Sequence, residues 1–133
     1  MPANTAPIFT LTPQIGRARI ATANTNRDGT GTLGNVITGA ASGTRVDRIV
    51  ITATGTTTAG MVRLFINDGA NIRAWREVPV TAITVSASAA AFTFTIVSPD
   101  SQVPLLVLPN AYILAASTHN AEQFDVLAHA GDY

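Results

Sequence analysis

The feature that most constrains this chain is an alternation of apolar and polar side chains with a period of two residues. In the run from Met61 to Asn67, odd- and even-numbered side chains would face opposite sides of an extended strand. The run from Arg17 to Thr22 alternates arginines with apolar residues in the same way. These runs are short and are separated by Gly, Pro, Asn and Asp. The pattern is typical of β-strands and not of helices, whose apolar positions recur every 3.6 residues.

The alternation predicts about eight or nine short antiparallel strands. They are 17–22, 46–54, 61–67, 71–78, 80–88, 91–97, 105–108, 111–117 and 124–129, and the segments 7–12 and 33–38 are further strand candidates. The one helix candidate, 87–91, is rich in alanine but too short to hold alone. Many short strands with Gly and Pro turns predict an all-β fold, a single-domain β-sandwich of the jelly-roll type.

A length of 133 residues predicts one domain overall. Within it, residues 1–40 are interpreted as an N-terminal arm or extended segment with early strands, and residues 41–133 as the β-sandwich body. The arm is polar and rich in turn residues, so it is expected to reach a neighbouring molecule. Its deletion is then expected to abolish binding while the body stays folded. We expect no signal peptide and no membrane span, because no basic segment precedes an apolar stretch of sufficient length.

Composition excludes several functional classes. There is no cysteine and no lysine, so thiolate metal sites, disulfides, P-loops and Schiff bases are all excluded. Eight arginines balance eight acids, which gives no general attraction for nucleic acid. Only 12% of residues are charged. Either 22 alanines and 19 threonines dilute the charge, or much of the surface is buried against copies of the chain or a larger assembly.

Metal ligation has one weak sequence signal. Asn24, Asn26 and Asp28 stand at alternate positions before Gly29, which is the spacing of the first half of a calcium loop. The twelfth position holds Asn35 in place of a glutamate, and only one formal charge is present. An Asn/Asp/Gly turn between strands explains the same residues. We therefore expect no metal site. The two histidines, His119 and His129, are expected to lie on different elements, and no cofactor is expected.

No catalytic constellation emerges, and the chain is not expected to be an enzyme. Ser117, His119 and Asp125 could form a triad only on paper, and we expect a hydroxyl bonded within its own turn and a surface histidine. The acids are scattered, so a pair of facing carboxylates is not expected. Trp75, on a strand with two charged residues, is a candidate stacking platform for a glycan, although a lone tryptophan is more often packed in a core or interface.

Several segments resemble small virion proteins of tailed bacteriophages. The strand–loop–strand unit at 45–69, which ends in Asn67-Asp68-Gly69, carries most of the resemblance, and it continues through 76–80, 106–109, 114–124 and 131–133. The likeness thus spans residues 45–133. One departure is Asn110-Ala111 after Pro109, where a glycine is expected in the turn. Asn110 is expected to accept the positive φ there.

The resemblance implies a β-sandwich or jelly-roll protein of the virion, with no catalytic residues. Its first implication is a capsid decoration or cement protein, made in the host cytoplasm and located on the capsid exterior. The expected partners are copies of itself, with a homotrimer favoured, and the major capsid protein, with no nucleic acid and no membrane. The alternative is a tail- or fibre-associated module that binds a receptor or carbohydrate.

Overall fold

A computed structural model describes residues 9–100 and 103–133. They form nine strands joined by turns and loops, as the alternation predicts. The strands are β1 (Thr12–Ile20), β2 (Gly34–Thr38), β3 (Thr44–Ala53), β4 (Gly60–Asn67), β5 (Ile72–Val80), β6 (Thr93–Val97), β7 (Leu106–Leu108), β8 (Ile113–Thr118) and β9 (Phe124–Asp132). The all-β prediction is confirmed.

The strands form two antiparallel sheets. Sheet A has the order β1-β9-β3-β6, with the short β7 also pairing with β3, and sheet B has the order β2-β8-β4-β5. With β7 set aside, the hydrogen-bonded pairs β1·β9, β2·β8, β3·β6 and β4·β5 are nested, first strand with last and second with second-last. This nesting is the arrangement of a jelly roll, in which one long folded ribbon wraps into two facing sheets.

The core lies between the two sheets and takes every second side chain from the central strands. Sheet A contributes residues such as Ile49 and Val126, and sheet B contributes residues such as Leu64 and Leu114, all of them fully buried. Phe92 and Phe124 pack edge to face, with ring centroids 6.3 Å apart, within the core cluster. The core residues therefore alternate along the strands, as expected when one face of each strand is buried between the sheets.

Several predicted elements differ from the structure. The segment 80–88 is not a strand: β5 extends to Val80, and beyond it Ile83 makes only an isolated bridge to Thr57. The helix candidate 87–91, which is too short to hold alone, forms no helix, as expected: Ser86 and Ala89 close a tight turn with reciprocal backbone hydrogen bonds. The candidate strand 7–12 lies partly outside the described residues, and β1 begins only at Thr12.

The division of the chain at residue 40 does not separate an arm from a body in the described structure. β1 pairs with β9 over nine residues, and β2 pairs with β8, so the segment from 12 to 38 supplies an edge strand to each sheet. Deletion of residues 1–40 would remove both strands and is expected to unfold the sandwich. This outcome replaces the expectation that residues 41–133 fold without the first 40 residues.

Two turns illustrate local chemistry. At Asn67-Asp68-Gly69 the predicted turn is confirmed: Gly69 has a φ of +97°, and the Asp68 carboxylate accepts the Ala70 and Asn71 amides. These bonds lower the pKa of Asp68. After Pro109 the positive φ, +67°, falls on Ala111 and not on Asn110. That assignment was wrong, and Ala111 carries a conformation that disfavours a Cβ.

Candidate functional site

The outer face of sheet B is covered by the chain's own segment 21–33, which we call the strap. The backbone N–H of Asn24 donates to the Thr118 carbonyl on the β8 side, and Gly29 packs against Ile72 at the start of β5. The strap thus crosses the sheet from β8 to β5. Beneath this face Phe65 is fully buried, although it is not part of the core cluster between the sheets.

Arg63 lies at the centre of this covered face and is 1% exposed. Its Nε donates to Glu77 Oε1 at 2.9 Å, and its Nη1 donates to the Asn24 carbonyl of the strap at 3.2 Å. Its Nη2 lies 3.1 Å from Nδ1 of His119. A buried guanidinium is tolerated only when such partners offset its lost hydration. Arg63 therefore joins three elements: β5, the strap and the loop after β8.

Glu77 on β5 is shared by two arginines. Its Oε1 accepts from Arg27 Nε of the strap at 2.7 Å as well as from Arg63. The hydrogen bond from Arg27, and then that from Arg63, lowers the pKa of Glu77. Glu77 therefore links the strap to the sheet, and two guanidinium groups face a single carboxylate.

The contact between Arg63 and His119 fixes the protonation pattern of the imidazole. A guanidinium can only donate hydrogen bonds, so Nδ1 of His119 must accept, and the neutral ring carries its proton on Nε2. No described residue accepts a hydrogen bond from that Nε2–H. The expectation of a surface histidine with local bonds missed this link to a buried charge.

A pocket of about 430 Å³ opens beside the cluster. Its polar wall consists of Arg27, Arg63 and His119, and its apolar wall includes Met61, Pro79 and Val80. The pocket therefore presents hydrogen-bond donors on one side and aliphatic surface on the other.

The outer face of sheet A contrasts with that of sheet B, because its side chains stay open to solvent. One cross-strand row runs Ile15, His129, Arg48 and Val97, and a second runs Arg17, Leu127, Val50 and Thr95. Ile15 is 64% exposed and Val97 is 51% exposed. Near Gly131 the side chain of Thr10 packs closely on this side. We call this surface the open face.

The open face combines aliphatic side chains with arginines. Four of the eight arginines lie on it, and they are Arg17, Arg19, Arg45 and Arg48. Arg19 forms a two-point ion pair with Asp125, at 2.7 and 3.0 Å, which lowers the pKa of that carboxyl. Arg45 pairs with Asp47. Arg17 and Arg48 form no ion pair with another described residue, so their charges are available to a partner.

The calcium-loop segment lies in the strap, where its oxygens serve the loop itself. Asn24 donates from Nδ2 to the carbonyls of Thr30 and Thr32, and its Oδ1 accepts the Asn26 amide. Asp28 accepts both the amide and the hydroxyl of Thr30, which lowers its pKa. Between 9 and 100 and from 103 on, no three His, Asp or Glu side chains lie close enough together to hold a metal ion. The arrangement is that of a network of side-chain turns.

Trp75 is half-buried and packs against the core. The Arg76 guanidinium lies 5.7 Å from the indole centroid, in cation–π contact. A glycan could stack only on indole surface that these two contacts leave exposed.

No hydrogen bond joins the three residues considered for a triad. Ser117 is buried in β8, and its Oγ has no hydrogen-bond partner among the described residues, which corrects the expectation that it satisfies its own turn. His119 contacts Arg63, and Asp125 is on sheet A with Arg19. Neither side chain is hydrogen-bonded to the Ser117 hydroxyl, as a base that activates it would be.

Arg63 is the residue of this candidate site that the sequence interpretation missed. A signal was present: Arg63 is the one charged residue in the otherwise apolar run from 61 to 66, at the centre of a strand. The alternation placed it on one strand face with Met61 and Phe65 and did not indicate that this face is covered. The cover over that face comes from residues about 40 positions away in the chain, which local pattern cannot indicate.

Comparison with known proteins assigns the chain neither a family nor a function. The sequence matches no known protein family, and no functionally characterised protein aligns with it significantly. Within the described ranges, no helix is long and apolar enough to cross a membrane.

Proposed function

We propose that this protein is a virion structural protein that decorates and stabilises an assembled phage capsid. The observation that carries the proposal is the asymmetry of the two sheets in the described part of the chain: the strap covers the outer face of sheet B, whereas aliphatic side chains and arginines on the outer face of sheet A are exposed. Arginine and apolar side chains together are typical of the centres of protein–protein interfaces. The resemblance of residues 45–133 to small virion proteins supports the same class.

Low charge and a flat sheet surface suit repeated docking. A capsid presents many identical sites, so weak contacts gain strength when copies of the decorating protein also contact each other. We therefore expect self-association, with a trimer favoured, and the major capsid protein as the partner. The open face would contact the shell.

The test is co-sedimentation of the purified protein with capsids assembled without it, beside intact host cells as a second target. The proposal predicts saturable binding to capsids at a fixed ratio to the shell protein. It also predicts that bound capsids withstand heating better than bare ones. No binding to capsids at any protein concentration would overturn it.

The second candidate is a receptor- or carbohydrate-binding module of a tail or fibre. The observation that favours it is the half-exposed Trp75 on β5, within a fold that lectin domains also use. It predicts binding to cells and not to capsids. Trp75→Ala would then abolish cell binding without unfolding the chain, whereas unchanged cell binding by this variant would contradict the candidate.

A further inference from the structure

We propose that the pocket beside Arg63 is a binding site for a carboxylate group carried on a short aliphatic stem. The site lies on sheet B, on the opposite side of the molecule from the open face, and its ligand-binding test needs no capsid.

The first argument is a surplus of donors. Arg27 uses only its Nε, and His119 only its Nδ1, in side-chain hydrogen bonds to described residues. Among the described residues, the terminal nitrogens of Arg27 and the Nε2–H of His119 therefore have no acceptor. The polar side chains that line the pocket consist of these donors and Arg63.

The second argument is charge. Arg27 and Arg63 share the single carboxylate of Glu77, so one positive charge has no anion within the cluster. Glu122, on the neighbouring loop, is engaged with the hydroxyl and amide of Thr58. An incoming anion would balance the charge and accept the free N–H groups.

The third argument is that the site is held in shape before a ligand arrives. Arg63 is buried and bonded to three elements, and it fixes which nitrogen of His119 donates. A preorganised donor set binds a small anion without a large ordering cost.

The apolar wall selects the class of anion. Met61 and Pro79 offer aliphatic surface opposite the donors, beside the buried Val80. Inorganic phosphate would leave this aliphatic surface in contact with water. A carboxylate on a short alkyl stem would contact the donors with its oxygens and the aliphatic surface with its stem. The planar fork of Arg27 also matches the two oxygens of a carboxylate.

The experiment is an NMR titration of the full chain with sodium propionate, with sodium chloride at equal ionic strength as the control. We expect saturable shifts of the His119 and Arg27 side-chain signals, with a dissociation constant on the order of millimolar. Phosphate should bind more weakly. Absence of saturation, or equal shifts with chloride, would overturn the proposal, and tighter binding of phosphate would overturn the carboxylate assignment.

Variants of Arg27 and His119, with a control at Arg73, locate the site. Arg27→Gln removes an exposed donor and should weaken propionate binding about tenfold, while Arg73→Gln, an exposed arginine elsewhere on β5, should leave it unchanged. His119→Gln keeps an acceptor and a donor and should retain binding that His119→Leu loses. Equal affinity in Arg27→Gln and the parent chain would contradict the site.

The carboxylate could belong to a small molecule or to an acidic side chain of a partner protein. Capsid co-sedimentation repeated with saturating propionate separates these sources. Weakened sedimentation would assign the carboxylate to the shell protein, and unchanged sedimentation would assign it to a small ligand. Because propionate binding is measured on the isolated chain, its failure is distinct from a failure of capsid decoration.

Discussion

Arg63 shows how a single buried charge can tie a loop to a sheet. Its three side-chain nitrogens contact Glu77, the strap carbonyl of Asn24, and His119. Removal of one partner of a buried charge is costly because the other charge is left without compensation. Removal of an exposed partner costs little, since water replaces it.

This difference predicts which of two variants loses more stability. Glu77→Gln leaves the Arg63 guanidinium without an anion and should lower the urea midpoint clearly. Arg27→Gln removes only the exposed arginine of the same carboxylate and should change stability by about 0.5 kcal/mol or less. Urea denaturation followed by circular dichroism checks both. A larger loss in Arg27→Gln than in Glu77→Gln would contradict the central position of Arg63.

The carboxylates also set the response to acid. Hydrogen bonds from arginines or from backbone amides and hydroxyls lower the pKa values of Glu77, Asp125, Asp28 and Asp68 in the folded chain. A lowered folded pKa means that the unfolded chain takes up protons first. The stability that these groups contribute is therefore present above their ordinary values, 4.5 for glutamate and 3.8 for aspartate, and is lost as pH falls below them.

We accordingly expect the carboxylate contribution to the free energy of unfolding to change little from pH 7 to about 5.5, and to fall below about pH 4.5. Glu77→Gln should make the fall shallower, because one of the protonating groups is gone. Urea titrations at a series of pH values measure this. A contribution from these carboxylates that rises toward pH 3 would be the contrary result.

At the scale of elements, the two sheets meet closely where β1 crosses β2. A Cβ added at Gly16 would lie 2.4 Å from Cβ of Ile37 and 2.6 Å from the Val36 carbonyl oxygen. One of these atoms is backbone, so the neighbour cannot simply rotate away. The absence of a side chain at Gly16 is what allows the edge of sheet A to approach the edge of sheet B.

Gly16→Ala should therefore destabilise the sandwich by about 2 kcal/mol, through overpacking. Gly55→Ala is the matched control: a Cβ there meets nothing within 4 Å, and its φ is not positive. The control should leave stability unchanged or raise it by about 0.5 kcal/mol. Thermal unfolding of both variants tests this prediction. Equal unfolding midpoints for Gly16→Ala and Gly55→Ala would show that the contact at Gly16 relaxes without loss of stability.

The elements also show how far local pattern reaches. Strands such as β3 and β9 were predictable because alternate burial gives neighbouring residues contrasting polarity. The segment 80–88 was not, because Thr and Val favour extended backbone whether or not a partner strand lies beside them. The Asn67-Asp68-Gly69 turn depends only on its own side chains, and it was predicted correctly for that reason.

At the scale of the whole molecule, the nested pairing of strands is decided by contacts between distant residues. The jelly-roll type followed from the number and length of strands, but pairings such as β1 with β9 have no local signal. The same holds for the strap. Its Asn and Asp turn chemistry was visible in the sequence, but its contact with Arg63 was not. The candidate site on sheet B therefore could not be predicted from the sequence.

We propose that the open face of sheet A docks the protein on a capsid. The most direct test of this claim is co-sedimentation with capsids of two charge reversals that alter the net charge equally. Arg48→Glu lies at the centre of the open face, and Arg73→Glu lies on β5 of the other sheet; both arginines are exposed. We predict that Arg48→Glu weakens binding about tenfold or more and that Arg73→Glu binds like the parent chain. Equal binding by both variants, or a loss confined to Arg73→Glu, would contradict the claim.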